Sequence, residues 1–262
     1  MAYRKMSTKD INEQNKILWT NMNMNQNLKY IKERSITEVL MKYLDKNDKI
    51  LDAGCGLGAW VYYLISNGYQ NTIGIDINPD IIKMAKKFNI NLYNDDIVNT
   101  HFSDNYFDKY ISLGVVEHDE SGPVKALKEA YRIMKPRGVA FISTPCNNLL
   151  RVLINHPIRD LINIVNRLSG KELYFSEYRF WKSELIQYIK NAGFKIMKVV
   201  PNDFNIKKSN FSYGLYTDWP ILRHASEKYR LNWLGIIIHK FLKMVSISLV
   251  ISGYLIIATK DN

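Results

Sequence analysis

The sequence predicts a doubly wound α/β fold around a mostly parallel sheet, and three observations carry the expectation. Between Ile50 and Ser143, short apolar runs alternate with segments of helical period, the rhythm of right-handed strand–helix–strand crossovers. The first run leads through three alternating glycines, Gly54-Cys55-Gly56-Leu57-Gly58, into a helix. Acids stand where the runs end: Asp52, Asp76, Asp96, and Glu117 followed by His118. Open sheets of this kind bind ligands beyond the carboxyl ends of their strands. The candidate site is read from those ends.

In chain order, residues 1–25 are rich in Asn, Lys and Met with weak periodicity and read as a mobile lead-in, where only Trp19 demands packing. Helical spacing from Leu28 to Leu44 gives one amphipathic helix. The strand ending at Asp52 and the glycine loop feed a helix that Asn67-Gly68 terminates. A second strand, Thr72–Ile75, ends at Asp76, and Asn78-Pro79 opens a helix with proline in its first turn. A third strand near Ile90–Tyr93 ends in Asp95-Asp96, and a fourth, Lys109–Leu113, runs into Gly114-Val115-Val116-Glu117-His118. A helix from Pro123 to Met134, capped by Ser121-Gly122, is stopped by Lys135-Pro136-Arg137-Gly138 before a fifth strand, Val139–Ser143.

Beyond Thr144 the rhythm breaks. A helical stretch, Leu149–Leu168, is interrupted at Pro157 and followed by an aromatic segment, Leu173–Trp181. Then come a helix over Lys182–Asn191, a sixth strand over Phe194–Val200, an irregular insertion over 201–232, an apolar helix over 233–250 and a last strand over Tyr254–Thr259. The expected organisation is one domain over 1–262. A helical lead-in (1–46) precedes a ligand-binding core (47–145); 146–181 and 201–250 are cap insertions, and 182–200 with 251–260 supply the last helix and strands.

At 262 residues the chain can bury a sizeable core. Its formal net charge of +11 favours acidic partners: nucleic acid, anionic lipid or an anionic substrate. Its two cysteines, Cys55 and Cys146, lack metal-ligand spacing, and Met1 to Gln14 has no apolar leader core. Reduced thiols in a cytoplasmic protein are expected, with no metal site.

Gly54, Gly56 and Ala59 satisfy the loose dinucleotide fingerprint, with Asp76 near the distance of a ribose-binding acid. Gly58 and Asp52 point away from it, because a carboxylate two residues before the first glycine suits an ammonium or sulfonium better than a pyrophosphate. At this acid-x-Gly-x-Gly-x-Gly run the chain resembles the class I S-adenosylmethionine-dependent methyltransferases. The resemblance covers about Ile50 to Thr144 well and the last two strands loosely. It implies a Rossmann-like sheet of seven strands with the last antiparallel, and S-adenosylmethionine as cofactor. It further implies that Asp52, Gly54, Gly56 and Gly58 cradle the cofactor, and that Asp76 holds its ribose hydroxyls. Asp96 would accept from the adenine amino group, Ile77 and Ile97 would cover the ring faces, and Leu113 would complete the set. Arg137 departs from the pattern, standing where a second glycine is usual.

For methyl transfer to a hydroxyl, Glu117-His118 is the candidate catalytic pair, because imidazole titrates near neutral pH. Trp19, Tyr178, Arg179 and Trp181 are candidate acceptor-binding residues in an aromatic, partly cationic mouth. The expected function is methylation of a small-molecule, glycan or lipid-like acceptor, with oxygen favoured. An RNA methyltransferase and a cofactor-binding protein without turnover are the alternatives, and a nicotinamide-linked reductase is more distant. Nucleic acid is disfavoured because Leu113-Gly114-Val115-Val116 stands where base-amine methyltransferases carry an Asn/Asp-Pro-Pro-aromatic motif. Pro145-Cys146 follows the fifth strand, the wrong place for a cytosine-C5 nucleophile, and Cys146 reads as a buried thiol. The tail from Leu231 is apolar at helical spacing, and Gly253 divides it before a spanning length is reached. That helix is expected to pack on the sheet, the alternative being peripheral contact with an anionic membrane through Lys240 and Lys243.

Overall fold

The computed structural model describes residues 1–10, 13, 23–202, 213–227 and 229–261. Trp19 lies outside them. The strands are β1 (Tyr3–Ser7), β2 (Ile50–Ala53), β3 (Thr72–Asp76), β4 (Leu92–Asn94), β5 (Phe107–Leu113), β6 (Met134–Pro145), β7 (Tyr174–Arg179), β8 (Phe194–Asn202) and β9 (Gly253–Lys260). The helices are α1 (Met24–Glu33), α2 (Ser35–Met41), α3 (Ala59–Ser66), α4 (Pro79–Ala85), α5 (Val124–Ile133), α6 (His156–Leu168), α7 (Lys182–Asn191), α8 (Tyr213–Asp218) and α9 (Trp233–Val245).

Seven strands form one sheet in the order β4-β3-β2-β5-β6-β9-β8. β2 to β6 pair in parallel, and β9 runs antiparallel to both β6 and β8. Strand order reverses between β2 and β5, where the glycine loop emerges. The two-residue period of a strand sorts side chains to opposite faces. Leu51, Ala53, Tyr110, Ala140, Ile142, Ile256 and Ala258 pack with Leu127 and Ile133 of α5 and Leu185 and Ile189 of α7. Their neighbours Ile50, Ile111, Phe141, Leu255 and Ile257 pack on the other face with Ile31, Ile36, Leu40, Trp60 and Leu64. Both faces are covered, which is why these strands are apolar throughout.

Several local expectations are corrected. The single helix over 28–44 is two, because Arg34 is extended (φ −69°, ψ 136°), and the Thr37 hydroxyl joins the Arg34 N–H in donating to the Ile31 carbonyl. Ser121-Gly122 does not cap α5; the Ser121 N–H and hydroxyl both turn to Asp119 Oδ1. The fifth strand begins at Met134, which pairs with Phe107, and the Lys135–Gly138 turn is a bulge within it. Arg137 adopts φ +64° there, a conformation glycine takes at less cost, so the unusual residue keeps the usual backbone. The start of the chain is a strand: β1 pairs antiparallel with β7, Tyr3 opposite Arg179 and Ser7 opposite Tyr174.

Candidate functional site

The glycine loop is shaped by its neighbours. Gly54, Gly56 and Gly58 have φ of +80°, +53° and +74°. A Cβ at Gly54 would stand 2.5 Å from the branched Val115 side chain, so Gly54 excludes larger residues on space as well as angle, and Gly58 excludes them chiefly on angle. The Gly54 and Cys55 N–H groups donate to the Ile75 carbonyl at 2.8 and 2.9 Å, fixing the loop to β3. Burial raises the Cys55 thiol, leaving it a packing group.

Around this loop the predicted acids converge as the topology requires. Asp52 is buried at the end of β2, and its Oδ2 has no partner. Burial, and then the nearby charge of Asp76, raise its pKa to about 7. Asp76, at the end of β3, accepts from the Gly56 N–H (Oδ2, 2.9 Å) and the Asn78 N–H (Oδ1, 3.0 Å). Burial outweighs these two bonds and raises its pKa. Each oxygen keeps a lone pair for another donor. Ile77 is exposed beside it, and Ile97 leans on the main core. Asp96 receives the Val98 N–H at 3.0 Å. Leu113 is half-buried at the end of β5.

Glu117 and His118 share one 3-10 turn, Val116–His118. Glu117 is buried, its Oε2 has no partner, and burial raises its pKa to about 7. His118 is exposed, and its Nδ1 lies 2.7 Å from the Ser176 carbonyl oxygen. A carbonyl only accepts, so neutral His118 carries its proton on Nδ1 and its lone pair on Nε2. Ser176, on β7, had no signal in the sequence.

The candidate acceptor residues separate. Arg179 is buried and committed: its NH1 pairs with Asp218 Oδ1 at 2.9 Å and its Nε with Glu177 Oε1 at 3.3 Å. That ties it into a network with Arg151, whose Nε meets Asp218 Oδ2 at 2.6 Å. Tyr178 packs between Phe175 and Phe180 and donates to the Glu120 carbonyl at 3.0 Å. Trp181 precedes α7, its N–H held by Glu184 at 2.9 Å, and it lines a cleft of about 310 Å³ with Asn147, Asn148, Leu149, Lys182 and Tyr254. Asn147 Oδ1 is buried there without a partner.

A family profile described as "Methyltransferase domain" matches residues 51–142, from β2 to the middle of β6. Residues 51–142 thus form a methyltransferase domain of the class I S-adenosylmethionine-dependent type. A demethylmenaquinone methyltransferase of Listeria welshimeri is 22% identical over 205 residues, 70% of this chain and 85% of its own length. An uncharacterized protein of Methanocaldococcus jannaschii is 31% identical over 164 residues, 62% of each chain. The crystal structure of a SAM-dependent methyltransferase from Archaeoglobus fulgidus superposes with a TM-score of 0.59 at 19% identity, covering 96% of this chain and all of that one. The cofactor of this methyltransferase is S-adenosylmethionine, and the residues present are compatible with it: Asp52 Oδ2 is buried without a partner, and each Asp76 oxygen has acceptor capacity beyond its one backbone bond. Among the described residues, no group of three or more His, Cys, Asp or Glu side chains could hold a metal ion.

Proposed function

We propose that this methyltransferase modifies a hydroxyl oxygen of a small, lipid-like acceptor, with His118 as general base. The observation that carries the reading is the bond between His118 Nδ1 and the Ser176 carbonyl. It orients the ring, selects the tautomer and leaves Nε2 basic, as an orienting partner does for catalytic imidazoles. Bound S-adenosylmethionine supplies a methyl group on a sulfonium sulfur, electrophilic toward oxygen. Asp52 would meet its positive charge, Gly54, Gly56 and Gly58 would pass beneath it, and Asp76 would take the ribose hydroxyls. Asp96 would accept from the adenine amine, with Ile77, Ile97 and Leu113 against apolar surface. Nε2 of His118 would remove the acceptor's hydroxyl proton, and an ionised Glu117 beside it would favour the imidazolium that results.

Two features support the acceptor class. The cleft beside Trp181 combines the apolar faces of Leu149, Trp181 and Tyr254 with the polar residues Asn147, Asn148 and Lys182, which suits a hydroxylated ring or headgroup. The L. welshimeri relative, named for demethylmenaquinone, supports a lipid-like acceptor and not the choice of atom. The test is methyl transfer from labelled S-adenosylmethionine to panels of phenols, hydroxylated lipids, glycans and RNA. Labelled phenol or lipid is expected, with kcat lowered by about a hundredfold or more in His118→Ala and S-adenosylhomocysteine affinity unchanged. Labelled RNA alone, or normal turnover in His118→Ala, would overturn the proposal.

A further inference from the structure

Helix α6 is folded inside out. Its buried or half-buried positions are His156, Arg159, Asn163 and Asn166, all on one face by helical spacing. The opposite face, exposed, is Ile158, Leu161, Ile162, Val165 and Leu168. A helix covering a core does the reverse. Helix α9 adds to the surplus. Its buried positions are Gly235 and His239, while Trp233, Ile237, Phe241 and Met244 form an exposed outer row. The expected packing of this helix on the sheet is thus only half realised: Ile236, Ile238 and Leu242 are inward, and a second apolar face remains. The two helices are joined at the root, since Leu150, just before α6, packs in the same apolar cluster as the inner side of α9.

We propose that the outer faces of α6 and α9 dock on an anionic lipid bilayer. Exposed apolar rows on two helices of one cap mark an interaction site, and the flanking charge selects the occupant. No acid occurs between Asp160 and Glu172, where Arg167 and Lys171 fall, and none between Lys228 and Lys260, where Lys240 and Lys243 fall. Apolar rows edged by cations match an anionic headgroup layer over a hydrocarbon interior. Across the two helices Asp160 is the one acid among Arg159, Arg167, Lys240 and Lys243, so a second copy of the chain would set cations mainly against cations. Each helix has 13 residues, about 20 Å at 1.5 Å per residue, against a hydrocarbon core of about 30 Å. No helix among the described residues is long and apolar enough to cross a membrane, so the helices lie in the interface. The cleft lined by Leu149 and Trp181 also reaches Ser248, just beyond α9, so docking brings that cleft to the lipid surface.

The docking does not rest on the acceptor reading, and its test uses neither cofactor nor acceptor. Flotation with phosphatidylglycerol-containing and with pure phosphatidylcholine vesicles, at low and high salt, measures the partition of the full chain. Binding to the anionic vesicles is expected, weakened by salt. Ile237→Glu/Phe241→Glu and Leu161→Glu/Val165→Glu should each lower the partition at least tenfold with melting temperature unchanged, since all four side chains are exposed. Lys240→Glu/Lys243→Glu should remove the salt-sensitive part. No partition into anionic vesicles would overturn the proposal. So would a dimer in light scattering that the same glutamates dissociate without changing vesicle binding, which would make the face a self-association surface.

Discussion

Asp52 offers the sharpest test of how this site receives its cofactor. Its carboxyl is buried with one oxygen unmatched, and its pKa stands at about 7. A cationic ligand favours the ionised form, so binding below that pKa must expel a proton. A group with pKa about 7 is about nine-tenths ionised at pH 8 and about one-tenth at pH 6. Apparent affinity should therefore fall about tenfold, ~1.4 kcal/mol, between those pH values. Titration calorimetry with S-adenosylhomocysteine, which keeps the ammonium, reads this directly in two buffers of different ionisation enthalpy. About one proton per ligand should be released at pH 6 and almost none at pH 8. Asp52→Asn should abolish the pH dependence and bind more weakly than the wild type at pH 8. Affinity that is flat in the wild type refutes the reasoning. A slope that survives in Asp52→Asn also refutes it, because the titrating group would then be another, Glu117 foremost.

Other expectations follow from the same geometry. Asp76→Ala should weaken S-adenosylhomocysteine binding by about 1–3 kcal/mol by calorimetry, since it strips the Gly56 and Asn78 N–H groups of their acceptor as well as removing the proposed ribose contact. Glu117, with a folded pKa of about 7 above its ordinary 4.5, stabilises the ligand-free protein fully at low pH, and that contribution is lost as pH rises toward 7. Glu117→Gln should thus raise stability at pH 8 relative to pH 5 by on the order of 2–3 kcal/mol in denaturant melts; equal effects at both pH values would mean the carboxyl is not held protonated. Asp218→Ala leaves Arg151 and Arg179 buried without their shared partner and should cost about 3–5 kcal/mol in the same melts.

The parts of this molecule legible in its sequence are those whose determinants are local. The β2 strand, its glycine loop and the acids at strand ends declare themselves within a few residues, because backbone freedom and strand termini are short-range matters. Helix α7 appears at its expected bounds for the same reason. Strand β1 was invisible because nothing in Tyr3–Ser7 alternates. It is held by distant partners: Tyr3 stacks on His156 at 3.6 Å, and Lys5 pairs with Glu177 at 2.8 Å. Ser176 was equally hidden, since it contributes only a carbonyl, which every residue has. Arg179 looked like a ligand-binding cation because spacing cannot reveal that Asp218, 39 residues later, takes its guanidinium.

The cap shows why periodicity alone does not orient a helix. Spacing identifies an apolar face and does not say whether it points in or out. Here the inward direction is set by polar groups. Arg151 and Arg179 converge on Asp218, and Arg151 also reaches the Ser252 carbonyl at 3.1 Å and the Cys146 carbonyl. These contacts bind the root of α6 to β7, α8 and the entrance of β9. A buried ion cluster is an expensive fastener compared with apolar packing, yet it specifies one orientation because its donors and acceptors match in only one way. With the roots fixed by charge and hydrogen bonds, α6 need not bury its isoleucines and leucines to hold the cap in place. They are left for a surface outside the molecule, and a cap so oriented carries its cleft to that surface.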